Sequence, residues 1–433
     1  EGLSNAGEMG TNFIIVVNDN EMSIAENHGG LYQNLKELRD TEGRSSCNFF
    51  RSLGLDYLYV GEGNDIPSLV ATFAKVKDTS RPTVVHIHTQ KGKGYAPAEA
   101  DREEFHWEMP FDLETGKPKV DCSGMEDYHS LTGKFLLEKM KEDHTVVAIS
   151  SGTPTVIGFT PERRKQAGRQ FVDVGIAEEH AVALASGIAA GGGRPVYGVY
   201  STFIQRCYDQ LSQDLCINGN PAVITVFMGT VAGMNDVTHL GFFDIPLISN
   251  IPNMVYLAPT CSEEYFAMLE WAVRQTEYPV AIRVPGVAVV HRKEEFDTDY
   301  SELNRYKMTA RGETVAILAL GAFYDLGQAL KNKLREESGV EATLINPRYI
   351  TGLDEPMLEE LKVGHRIVVT LEDGVLDGGF GEKIARYYGN SEMRVLNYGL
   401  RKEFADRYNL DELMKANRLT DKQMAEDIAG ILE

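Results

Sequence analysis

The chain has 433 residues, enough at roughly 150 per domain for about three separate cores, and its 43 Lys plus Arg against 64 Asp plus Glu leave a net charge of −21. So acidic a balance repels nucleic-acid phosphates and anionic lipid headgroups, which argues against groove binding and against electrostatic docking on a membrane. No apolar run reaches the roughly 18 residues of a membrane span, and the five cysteines (Cys47, Cys122, Cys207, Cys216, Cys261) include no C-x-x-C pair, so free thiols in a reducing, cytoplasmic setting are expected.

Along the chain, short β-rich runs alternate with longer helical stretches, at 12–19, 84–89, 145–150, 196–200, 222–228, 255–259, 280–284, 314–320, 342–346 and 366–371. That alternation predicts an α/β fold. Runs such as Phe13-Ile14-Ile15-Val16-Val17 and Val315-Ala316-Ile317-Leu318 are apolar on both faces, as in parallel strands covered by helices on each side. Breaks in texture at 112–124 and 291–311 divide the chain into three domains, 1–120, 126–290 and 312–433. The first is short for a doubly wound domain, and the chain begins at Glu1 without Met, so a missing upstream part is expected.

The first motif, Asn18-Asp19-Asn20-Glu21-Met22-Ser23-Ile24, directly follows an apolar strand, where open parallel sheets bind ligands. Asn20 could offer a side-chain oxygen and Met22 a backbone carbonyl to a hard cation such as Mg²⁺; the plainer reading is an Asx-turn closing the strand. Next comes Gln90-Lys91-Gly92-Lys93-Gly94-Tyr95, whose glycines admit close backbone approach and whose lysines could neutralise a diphosphate, or which is simply a solvated turn. His106, between Phe105 and Trp107, is either a proton shuttle or a packed ring. Asp173-Val174-Gly175-Ile176-Ala177-Glu178 leads into a helix apolar almost all round, so its early carboxylate should be drawn into a low-dielectric site where burial raises a carboxyl pKa. A Glu in a first helical turn is otherwise explained by the macrodipole alone. Tyr200-Ser201-Thr202-Phe203-Ile204-Gln205-Arg206 follows another strand; Phe203 could stack on a heteroaromatic ring, and Arg206 with Asp209 either holds substrate or forms a surface pair. Thr238-His239 and the short Gly378-Gly379-Phe380-Gly381 turn complete the set, the latter too short to mark a nucleotide site.

In this order and spacing, NDNEMSI, QKGKGYAPAE, FHW, DVGIAEEHAVALASGIA, YSTFIQRCYDQ and THLGFFD together resemble the 1-deoxy-D-xylulose-5-phosphate synthase family, within the transketolase superfamily of thiamine-diphosphate enzymes. The likeness covers nearly the whole chain. It implies three domains: the C-terminal part of a diphosphate-binding domain (1–120), a pyrimidine-binding domain (126–290) and a transketolase C-terminal domain (312–433). It implies thiamine diphosphate and Mg²⁺ as cofactors, with Asn20 and the Met22 carbonyl as metal ligands. Lys91, Tyr95, Glu178 and Phe203 would contact the cofactor, His106 and His239 would transfer protons, and Tyr200, Arg206 and Asp209 would line the substrate channel. The implied reaction decarboxylates pyruvate and joins its two-carbon unit to an aldehyde such as glyceraldehyde 3-phosphate, toward isoprenoid, thiamine and pyridoxal precursors, in a homodimer with active sites between subunits.

Several departures stand out. The Gly-Asp-Gly half of the metal motif would lie upstream of Glu1, and Met228 and Gly286 stand where the family has arginines that grip the acceptor's phosphate. Asn235 and Val237 replace the Asp and Gln of the family's Ala-Asp-Gly-Gln-Thr-His run. Transketolase-type ketol transfer, one subunit of a split enzyme, and a cofactor-binding homologue without catalysis are the competing expectations.

Overall fold

In the computed structural model, which describes residues 1–120 and 124–432, Cys122 lies outside the described residues. The chain forms two units, Glu1–Met125 with Val174–Ile176, and Glu126–Asp173 with Ala177–Glu433. Among the described residues no helix is long and apolar enough to cross a membrane.

The first unit is built on strands β1 (Ile14–Asp19), β2 (Asp56–Val60) and β3 (Thr83–His88), all parallel in the order β1-β3-β2. Central β3 alternates its valines between two apolar clusters, Val84 with Leu38, Phe50 and Tyr57, and Val85 with Val60, Val76 and Ile87. Both faces of β3 are therefore covered, as its composition predicts. Edge strand β1 departs from that expectation: Phe13 just before it is 54% exposed and Val16 is 47% exposed, because a three-stranded sheet leaves its outer strand less to pack against.

The second unit holds two sheets. Strands β4 (Val146–Ser150), β5 (Phe171–Asp173), β6 (Arg194–Tyr200), β7 (Val223–Phe227), β8 (Val255–Leu257) and β9 (Val280–Arg283) form a parallel sheet ordered β5-β4-β6-β7-β9-β8. Strands β10 (Lys307–Ala310), β11 (Thr314–Ala319), β12 (Thr343–Asn346), β13 (His365–Val375) and β14 (Arg394–Leu400) form the other, ordered β10-β12-β11-β13-β14, with only β10 antiparallel. All ten apolar runs in the sequence are strands. Four further strands, β2, β5, β10 and β14, escaped the pattern because they are short or carry polar residues; β10 falls inside the charged 291–311 stretch, and its polar character is that of a sheet edge.

Candidate active site

In the first unit the polar cluster after β1 is organised by Asp19, which is 5% exposed. Its Oδ2 is bound by the Arg39 guanidinium and lies 2.9 Å from His86 Nε2, while Oδ1 accepts the Glu21 N–H at 3.1 Å. The Tyr57 hydroxyl lies 2.7 Å from His86 Nδ1, so one proton on each group satisfies the chain: Nε2–H donates to Asp19, and Tyr57 O–H donates to Nδ1. Burial alone would raise the Asp19 pKa, but these bonds from His86, Arg39 and Glu21 outweigh it and hold the carboxyl at about 2.

Above this base the loop closes as an Asx-turn. Asn20 Oδ1 accepts the Met22 N–H at 3.0 Å, and Glu21 takes a left-handed φ of 67°. An amide oxygen has two lone pairs, so Asn20 Oδ1 keeps one, and with the Met22 carbonyl it provides neutral hard oxygens that fit two positions around Mg²⁺. Among the described residues no cluster of three or more His, Cys, Asp or Glu could hold a metal. Lys91 Nζ donates to the carbonyls of Ser23 at 2.9 Å and Ile24 at 3.3 Å, shaping the loop, and partial burial lowers its pKa. Gly92 has φ 81°, and a Cβ there would meet the Ala98 carbonyl at 2.7 Å, so only glycine fits that turn. The Tyr95 ring meets Phe105 and Phe111 at centroid distances of 5.7 and 5.8 Å, and its hydroxyl is buried without a partner among the described residues, as a ligand-facing donor would be. His106 lies in the turn Glu104–His106 and is exposed, not packed; partial desolvation and the Lys91 charge lower its pKa.

In the second unit the helix Glu178–Ala190 buries Glu178, Ala181, Val182, Ala185, Ser186 and Ala189. This is a stripe at three- and four-residue spacing, not the all-round burial its composition suggested. Small side chains along it bring the helix close to the sheet. Glu178 opens the helix at 2% exposure, and its Oε2 accepts from Arg206 Nη1 at 3.0 Å. Arg206, whose side chain is 48% exposed, is therefore turned to Glu178 and not to Asp209. Asp209 is exposed and has no ion-pair partner among the described residues.

Aromatic rings continue from there. Tyr200 ends β6 and meets Phe203 edge-on at 5.6 Å, and Phe203 meets His239 edge-on at 5.6 Å. The Glu178–Arg206 pair and the Tyr200–Phe203–His239 rings are joined through the backbone, where the Arg206 N–H donates to the Phe203 carbonyl at 3.4 Å. Sequence reasoning missed His129, whose Nδ1 lies 2.7 Å from the Val156 carbonyl, which stacks on Phe227 at 4.7 Å and stands edge-on to Tyr200 at 6.2 Å. Burial lowers its pKa and raises that of Tyr200. No local pattern marks it, since its neighbours lie far along the chain.

Neither Met228 (φ 56°) nor Gly286 (φ 70°) supplies a cation, and nearby Arg283 is committed to the core. Its Nε donates to Asp244 Oδ2 at 2.7 Å and its Nη2 to the Asp373 carbonyl at 2.6 Å, while the Tyr256 hydroxyl donates to the same Asp244. The Gly378–Gly381 turn is likewise filled from within: Glu372 accepts the N–H groups of Phe380 and Gly381, both at 2.8 Å, and a Cβ on Gly379 would fall 2.3 Å from its Oε2.

Comparison with known proteins finds three family models. The transketolase pyrimidine-binding domain matches residues 126–289, the transketolase C-terminal domain 305–424, and 1-deoxy-D-xylulose-5-phosphate synthase 1–47. Curated 1-deoxy-D-xylulose-5-phosphate synthases are similar over nearly the whole chain: that of Clostridium botulinum (strain Alaska E43) is 32% identical over 96% of this chain and 72% of its own length, and that of Alkaliphilus oremlandii is 33% identical over 99% and 74%. Among solved structures, a Pichia stipitis transketolase in complex with sedoheptulose 7-phosphate (15% identity, TM-score 0.57) covers 99% of this chain and 74% of that one. A split-gene transketolase described as an inactive β4 tetramer (22% identity, TM-score 0.58) covers 71% and 98%. These two share the fold.

Proposed function

The chain belongs to the 1-deoxy-D-xylulose-5-phosphate synthase family of transketolase-type transferases, and from that premise we propose that it works with thiamine diphosphate and Mg²⁺ to decarboxylate pyruvate and join the two-carbon unit to an aldehyde such as glyceraldehyde 3-phosphate. Thiamine diphosphate supplies, when bound, the electron sink for the carbanion that decarboxylation leaves. Residues 1–120 are read as the diphosphate-binding part, 126–290 as the pyrimidine-binding domain and 312–433 as the C-terminal domain, in a homodimer.

The observation that carries the proposal is Glu178, sequestered at the start of its helix with one side-chain donor, Arg206, among the described residues. With Arg206 on Oε2, Oε1 would be the atom free to hydrogen-bond the pyrimidine ring nitrogen, and Phe203 would offer a face for that ring. Asn20 and the Met22 carbonyl would hold Mg²⁺, the orphan Tyr95 hydroxyl would donate to the cofactor, and Lys91 would keep the metal loop in shape. His106 and His239 would move protons at the aldehyde carbon, with Tyr200 and Asp209 lining the approach.

The test measures CO₂ release and ketose formation from pyruvate and glyceraldehyde 3-phosphate with the native protein and with Glu178→Ala. Cofactor-dependent ligation should disappear in the variant. Ligation persisting at the native rate removes Glu178 from the mechanism, and ketose-phosphate cleavage without CO₂ release moves the chain to transketolase-type ketol transfer.

A further inference from the structure

His239 does not stand alone in its loop. Its Nδ1 lies 2.7 Å from Thr238 Oγ1 and 3.3 and 3.4 Å from Oδ2 and Oδ1 of Asp236, and Thr238 Oγ1 lies 2.5 Å from Asp236 Oδ1. The Thr238 N–H also donates to Oδ1 at 2.8 Å. Two oxygens 2.5 Å apart repel unless a proton lies between them, so the single Thr238 hydroxyl proton is donated to Asp236. The lone pair of Oγ1 then faces His239, and the short Nδ1 contact requires the ring proton to be on Nδ1. In the neutral ring Nε2 then carries the lone pair, and it bonds no described residue.

We propose that Asp236 is a positioning residue which, through Thr238, fixes His239 as the Nδ1–H tautomer and so makes Nε2 the proton-transfer atom of the ligation step. This rests on the role given to His239 above. In the family's Ala-Asp-Gly-Gln-Thr-His run the position of Asp236 is a glycine; here the carboxylate stands three residues before the histidine.

Apart from the Thr238 N–H, the loop's backbone is anchored by groups other than the Asp236 carboxylate. The Val231 N–H donates to Asp373 Oδ1 at 2.8 Å, the Arg407 N–H to the Asn235 carbonyl at 2.6 Å, and the Val237 N–H to Asp406 Oδ1 at 3.2 Å. Removing the Asp236 carboxylate should therefore release the imidazole and the Thr238 N–H while these three anchors keep the rest of the loop in place. Charged groups on the elements packed here are Asp236 itself, Asp406 and Arg407 of the C-terminal segment, and Arg206 beyond Phe203, the last engaged by Glu178.

The experiment is ¹⁵N NMR of histidine-labelled whole protein, native and Asp236→Ala, beside steady-state kinetics of both. The native His239 should show Nδ1–H with an unprotonated Nε2, and Asp236→Ala a mixture of tautomers. Its kcat should fall roughly 10- to 100-fold with little change in KM for pyruvate, and Asp236→Glu should restore part of the loss. An unchanged tautomer in Asp236→Ala, or a KM effect with native kcat, overturns the proposal. Should Asp236→Ala fail to fold, Thr238→Val, which removes the bridging hydroxyl alone, is judged by the same two readouts. A native protein without ligation activity would sink the functional reading, while the tautomer would still decide the relay.

Discussion

Asp19 and Glu178 are both nearly buried carboxylates at the edge of a candidate ligand site, and they are held in opposite ways. Asp19 is surrounded by three donors, from Arg39, His86 and the Glu21 backbone, and its shape is passed upward to the Asn20 loop. Among the described residues Glu178 has one side-chain donor, Arg206, whose side chain is half in water. A carboxylate saturated by its own protein can only support structure, whereas one left short of partners can exchange a proton with a ligand. Substitutions should separate the two.

The largest effect is expected at Glu178. Glu178→Gln keeps the size of the side chain and removes the exchangeable acid, so ligation should slow by about 10²- to 10⁴-fold while the urea midpoint barely moves. An unfolding loss in place of a rate loss would make Glu178 a second Asp19.

Asp19→Ala should give the reverse. It leaves the Arg39 guanidinium and the His86 imidazole facing a vacated buried site, and stripping one partner from such a pair costs about 3–5 kcal/mol. Chemical denaturation should show the first unit unfolding early. An unchanged midpoint would mean that solvent replaces the carboxylate and that the network is not structural.

The contrast also explains what the sequence made legible. Asn20 was readable as an Asx-turn because the turn is local, two residues long and written in the Asn itself. The ten apolar strands were readable for the same reason: each is a short contiguous apolar run, and except at edge strand β1 both faces are largely buried, so no periodicity needs to be decoded. The Arg206–Glu178 pair spans 28 residues, the Asp19–His86 bond 67, and His129, on the helix Tyr128–Glu142, meets Phe227 at the end of β7 only because that helix packs on the sheet containing β7. Such pairings follow from strand order, which local patterns do not encode. Arg206 was accordingly offered to substrate or to Asp209 when its partner was the catalytic candidate. The Gly378–Gly381 turn shows the converse, a ligand-like motif whose ligand is the chain's own Glu372.

Acidity offers a way to sharpen the comparison with smaller effects. Asp19 is depressed from 3.8 to about 2, so its stabilisation is complete above about pH 4 and is lost as pH falls toward 2. In the second unit burial pushes Glu372 from 4.5 up to about 7 and Asp373 from 3.8 up to about 6, against the weaker opposing pull of bonded N–H groups, Lys383 and Arg283. Their folded forms hold protons the unfolded chain has released, so this contribution is greatest below the unfolded values and declines as pH rises to 6–7. Urea titrations across that range should find the second unit losing stability with rising pH, and Glu372→Gln should flatten the slope. A second unit that gains stability over the same interval would contradict the assignment of these two groups.

The smallest structural effect is expected at Asn20. Its side chain contributes one half-buried hydrogen bond to the loop, worth about 1 kcal/mol, while Asp19 beneath it and Lys91 above it keep their own contacts. Asn20→Ala should therefore leave the unfolding midpoint close to native. If Asn20 is a metal ligand, the protection against thermal unfolding that Mg²⁺ and thiamine diphosphate give together should drop by a far larger factor than that 1 kcal/mol implies. Equal protection in the variant would leave the Asx-turn as the whole of its role, and the first unit would then contribute the shape of a loop and not a ligand.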